Sequence, residues 1–221
     1  MREALQYCAW AVGLCLNVAV ISALLRGPYR RYPFVFLYSA TLLLSTLLEI
    51  ALQPAGKKLQ QDYYWMDEII LDILVFSVVI AFIGEAAQYS KRRLVRRWWL
   101  IPAAAVIFAV SFYSHHGLHL NHRMTLVSRD LNLCAVILDV LLWSLLIGAR
   151  STDRRLLLLS GGLGLQLTGA IMGESLRNLS HHLFWPGTML EVLSGFAGLY
   201  IWWRALRLVP SKNRISGLGV G

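Results

Sequence analysis

Asp139, Glu191, Asp72 and Asn17 are the residues whose positions could support chemistry, because each interrupts a long apolar run. Asp139 stands near the centre of residues 129–150, RDLNLCAVILDVLLWSLLIGAR. An α-helix needs roughly 20 such residues to cross a hydrocarbon layer of about 30 Å. An ionised carboxylate at mid-bilayer costs roughly 2.5–3.5 kcal/mol, so Asp139 is expected to face the protein interior and to serve a purpose. Counted inward from the ends of their runs at about 1.5 Å per residue, Asp139 and Glu191 fall near mid-membrane, Asn17 slightly to the inner side and Asp72 slightly to the outer. No Lys, Arg or His is expected at that depth. Carboxylates buried without a cation hold a proton, a metal cation or an amine as ligand. The plainer alternative is a protonated acid that ties two helices together through a hydrogen bond worth about 0.6 kcal/mol.

Two further groupings have suggestive spacing. Glu68 and Asp72 are four residues apart and share a helix face, where like charges repel unless a proton or cation bridges them. The rival is that Asp67 and Glu68 are solvated at the interface and only Asp72 is buried. His115, His119 and His122 would stand about a turn apart if their loop is helical, which is a metal-ligating arrangement. A merely polar loop, or an outer face that charges below about pH 6.5, explains the same residues. Expected enzyme signatures are absent: the chain has no phosphate-binding Gly loop, no HExxH and no GxSxG, and its last apolar run has no Lys for a retinal Schiff base. The expectation is therefore a protein that is not an enzyme and has no cofactor.

Seven runs must position these residues. They span about 7–25, 33–52, 64–88, 98–114, 130–149, 156–174 and 184–204, and a short polar tail, 208–221, is expected to be flexible. With 57% hydrophobic and 15% charged residues in 221, the chain is too apolar for an ordinary soluble domain. An all-α, polytopic membrane protein with the lipid bilayer as its main partner is expected. The fourth run is apolar throughout and suits a structural or lipid-facing slot. The sixth contains Gly169 and Gly173 at the small-xxx-small spacing that lets helix backbones approach closely. Cys8, Cys15 and Cys134 lie inside apolar runs and read as small hydrophobes.

A net charge of +9 suggests nucleic acid only until the cations are located. Loops one, three and five and the tail hold 15 of the 21 Lys and Arg, an orientation signal that places the amino end outside and the carboxyl end in the cytoplasm. Nucleic acid is not an expected partner; a bacterial inner membrane is the expected location. Sliding the chain by about 120 residues lays Asn17 over Asp139 and Asp72 over Glu191, which a duplicated three-helix bundle in a 3+1+3 order would produce. Chance similarity between Leu- and Val-rich runs would do the same.

This layout resembles that of the SWEET sugar transporters in helix count, repeat order, orientation and length. The Pro-Gln pair of that family is missing: Gln53-Pro54 has the reverse order and lies in an outer loop, so the resemblance implies no sugar specificity. The chain is also similar to the seven-helix input regions of some bacterial sensor kinases, without a kinase after the last helix. The leading expectation is a transporter or channel for a small cationic or polar solute, open to proton coupling, with Asp139 and Glu191 binding and Asn17, Asp72 and Glu68 completing the site. The rival is a membrane sensor, receptor or scaffold that relays an outer signal to, or assembles with, a partner. A homo-oligomer or a partner membrane subunit fits either reading.

Overall fold

A computed structural model of the chain describes residues 2–53, 57–89, 106, 109, 110, 113, 120–148 and 154–207. The described residues form six α-helices and no strand: α1 (Arg2–Leu25), α2 (Pro33–Leu52), α3 (Lys57–Tyr89), α4 (Leu120–Gly148), α5 (Arg154–Leu179) and α6 (Phe184–Arg207). Four of them contain stretches long and apolar enough to cross a membrane: Gln6–Leu25, Pro33–Leu52, Met66–Ala86 and Arg154–Leu179. The expected fourth run, 98–114, falls almost wholly outside the described residues, as does the tail.

Local chemistry explains the helix ends. Gly27, at φ 149°, takes the chain out of α1, and Pro33 opens α2 in the first turn, where its missing N–H is not needed. Several helices start earlier than their apolar runs suggest, α3 and α4 by the most. The 57–63 segment continues α3 and the 120–129 segment continues α4, since neither contains a Gly or Pro to stop a helix that has left the apolar layer.

The helices pack in chain order, α1 on α2 through to α5 on α6, and α6 closes the ring on α1. Polarity is inverted relative to a water-soluble bundle. On α2, Leu37, Leu44 and Leu48 are exposed, whereas Ser39 is 0% and Tyr38 4% exposed. Large apolar side chains are exposed on every helix, while Asn17, Asp72 and Asp139 are buried. This is how a chain surrounded by lipid arranges itself, and it makes the molecule a helical membrane protein.

The tightest pairing is α5 on α6, and glycine permits it. A Cβ on Gly173 would stand 2.6 Å from the Gly187 carbonyl oxygen, and one on Gly198 would stand 2.7 Å from that of Gly162. Gly169 leaves room for Ser194. In that seam Trp202, 0% exposed, donates its indole N–H to the Leu159 carbonyl at 2.7 Å.

The ends of the ring differ in charge. Arg26, Arg30 and Arg31 follow α1, Arg154 and Arg155 open α5, and Arg204 and Arg207 close α6. Arg31 donates to Glu85 at 2.8 and 2.5 Å, which brings the carboxyl end of α3 to the same arginine end. The opposite end carries Glu49, Asp67, Glu174 and Glu191.

Candidate functional site

A cavity of about 600 Å³ that bears polar groups is walled by α1, α2, α5 and α6. Its size is in the range that holds small-molecule ligands. Gln6, Glu49, Thr188 and Glu191 lie toward the acidic end, Asn17 and Gln166 line its depths, and Trp10, Phe184, Trp185 and Phe196 provide aromatic walls. Asn17 and Gln166 sit near the middle of the spans Gln6–Leu25 and Arg154–Leu179, so the cavity runs from one end of the bundle to about half its depth.

The polar lining is rich in acceptors. Asn17 Oδ1 and Gln166 Oε1 are buried and have no hydrogen-bond partner among the described residues. Gln166 uses its amide hydrogen to donate to the Tyr38 hydroxyl at 3.0 Å, which fixes which way its carbonyl oxygen points. The Trp10 indole N–H serves the Glu49 carboxylate. Among the described residues no Lys, Arg or His lines the cavity. Acceptors and aromatic faces complement a ligand that brings donors, positive charge or both.

Behind the floor, Tyr38 links the cavity to α3 and α6. Asp72, 6% exposed, is near enough for its charge to act on the Tyr38 hydroxyl, and Trp202 packs edge-on against the Tyr38 ring at 5.7 Å. Toward the acidic end, Ser45 donates to Asp67, and Tyr63, just outside its span, donates to the Ser45 carbonyl at 3.2 Å. Burial raises the Tyr63 hydroxyl above its ordinary range, the bond to Ser45 opposes this, and the charges of Asp67 and Glu49 add to it.

The five residues expected to form one site are divided. Asn17 and Glu191 share the large cavity. Asp72 stands behind the floor. Glu68 is half-buried at the acidic end, where its charge acts on the Tyr64 hydroxyl together with those of Glu174, Arg177 and Glu191. Asp139 lies elsewhere, in a groove between α4 and α5 of about 490 Å³. A single hollow shared by Asp139 and Glu191 is therefore corrected, because α5 separates them. The expectation that no cation reaches Glu191 is corrected as well: Arg177, nearly four turns along α5 and α6 by sequence, is folded back by the α5–α6 hairpin and donates to its carboxylate.

His115 and His119 lie outside the described residues, as does the side chain of His122. Among the described residues no group of three or more His, Cys, Asp or Glu is placed to hold a metal ion. Glu49, Gln166, Trp10 and Tyr38 were not singled out by sequence. Glu49 had a usable signal, being the one acidic residue in its run; Gln166, neutral among glycines, had none. No protein-family model, curated protein or solved structure matches this chain.

Proposed function

We propose that this chain is a membrane transporter for a small cationic or polar solute, which it holds in the cavity between α1, α2, α5 and α6. The observation that carries the reading is the pair of buried, unpartnered amide oxygens of Asn17 and Gln166 at the inner end of a cavity whose mouth bears Glu49 and Glu191. An unsatisfied buried acceptor costs about 1–3 kcal/mol, and a donor-bearing solute would recover it.

A seven-helix layout is part of the same proposal. Glu85 puts the end of α3 at the arginine end, whereas α4 starts at the acidic end, because Asp139 against Gly164 and Trp143 against Gly161 make it antiparallel to α5. Tyr89 and Leu120 therefore lie at opposite ends of the bundle. A crossing by 98–114 is the seventh helix of this proposal. With the arginine end in the cytoplasm the amino end lies outside, the cavity opens outward, and a bacterial inner membrane suits this orientation.

Uptake into liposomes containing the purified protein tests the proposal, with choline, n-butylammonium and glucose as probes. Wild-type protein moves at least one of them faster than empty liposomes, and Glu49→Gln slows a cationic one by about 10-fold or more, the worth of a charge-assisted contact. No flux above background for any probe overturns it. Binding without flux favours the alternative, a membrane sensor or receptor, which the closed floor at Asn17, Tyr38 and Gln166 also suits.

A further inference from the structure

Asp139 remains outside the solute cavity and has no part in holding the solute. It is 4% exposed, yet the groove it lines opens sideways between α4 and α5, where Val140, Ile147 and Leu165 are 59%, 64% and 42% exposed on the lipid-facing surface. One carboxyl oxygen, Oδ1, has no partner among the described residues. The other, Oδ2, lies against the Cα of Gly164, where any side chain would collide with it. Gly164 is ten residues from Arg154 in a span that continues to Leu179, so the carboxyl group sits deep within the layer.

We infer that Asp139 and Gly164 form a proton-binding site of their own, on the opposite side of α5 from the solute cavity. The groove supplies nothing that a larger ligand would need. Its other side chains with polar atoms are Ser144, which already donates to the Val140 carbonyl, Thr168, and Trp143, whose indole ring packs against Gly161. A metal ion would find one carboxylate and two hydroxyls, too few for a cage. Among the residues whose side chains are described, the ionisable groups on the helices packed here are Tyr63, Tyr64, Asp67, Glu68, Asp72 and Glu85 on α3, Asp130 and Cys134 on α4, and Arg154, Arg155, Glu174 and Arg177 on α5. Among the described residues none of them stands out as a partner of the Asp139 carboxyl, whose surroundings are set by burial. A proton is the ligand that neutralises it without a further partner.

The site is placed to influence the cavity. Helix α5 presents Gly164 to Asp139 and, two residues along, Gln166 to the solute. An ionised Asp139 must draw in a donor or shift against α5, and α5 cannot move without moving Gln166. In this respect the inference rests on the transport reading: the proton at Asp139 is the coupling ion.

The first test needs no transport. Purified protein in lipid nanodiscs is treated with dicyclohexylcarbodiimide, an apolar reagent whose C=N bond takes up a protonated carboxyl and rearranges to a stable N-acylurea with no leaving group, and the adduct is mapped by mass spectrometry. Asp139 is labelled at low pH, and above the midpoint labelling falls about 10-fold per pH unit, as for one proton. Gly164→Ala, which puts a methyl group where the carboxyl lies, removes most of it. Asp139 left unlabelled from about pH 5 to 9 while Glu49 or Glu191 reacts, or labelled with no dependence on pH, overturns the inference. The second test uses Asp139→Asn in liposomes: choline exchange persists and accumulation driven by a pH gradient is lost. Accumulation that survives in Asp139→Asn removes the coupling role. Absence of flux for choline, n-butylammonium and glucose alike in wild-type protein counts against the transport reading and leaves the labelling result to decide the site.

Discussion

At the scale of single residues, the carboxylates of this chain sort by what reaches them. Glu191 has Arg177, and the two side chains keep 39% and 28% of their surface exposed. Solvent screening limits such a pair to about 1 kcal/mol at most. A double-mutant cycle on Arg177→Ala and Glu191→Gln, followed by thermal unfolding in detergent, is expected to give a coupling below about 1 kcal/mol; a much larger value would mean that the pair is shut off from water. Burial of Asn17, Asp72 and Asp139 was legible from sequence, because a polar group inside an apolar run is stabilised by facing protein. The cavity each one faces was not legible. That depends on which helices lie beside it, and nothing in the run containing Asn17 indicates that Gln166 will stand opposite. Glu49 reads from sequence as a boundary charge because it ends its run; the Trp10 indole draws it into the cavity wall.

At the scale of elements, α5 is the helix on which the molecule depends. One face, with Gly162, Gly169 and Gly173, receives α6; another, with Gly161 and Gly164, receives Trp143 and Asp139 of α4; and Gln166 reaches the cavity between α1, α2, α5 and α6. Without glycines the α5–α6 hairpin cannot close to this distance. Gly173→Leu is expected to destabilise the fold by about 1–3 kcal/mol or more through overpacking against Gly187. Trp202→Phe, which removes the indole donor and leaves the Leu159 carbonyl with its helical bond alone, is expected to cost about 0.5–1.5 kcal/mol. A melting temperature unchanged by Gly173→Leu would show that the close approach is not needed. The glycine spacing in the sixth run was readable as packing, although its partner in α6 was not. The three-helix duplication gains little from the fold. A ring in chain order maps onto itself after a shift of three helices whether or not the chain is duplicated, and α2, the counterpart of α5, contains no glycine.

At the scale of the whole molecule, charge and hydropathy agree. Apolar side chains cover the outside, arginines mark one end, carboxylates mark the other, and the cavity opens between the first and last helices at the acidic end. The central claim is that this cavity holds the solute. The most direct measurement is alkylation of a single thiol at its wall: Thr188→Cys in a chain whose Cys8, Cys15 and Cys134 are replaced by Ser, with and without n-butylammonium or choline. At about ten times the dissociation constant a bound solute leaves roughly one cavity in eleven open, so alkylation should slow by about 10-fold. An alkylation rate that does not change at solute concentrations saturating transport would contradict the account and place the solute elsewhere.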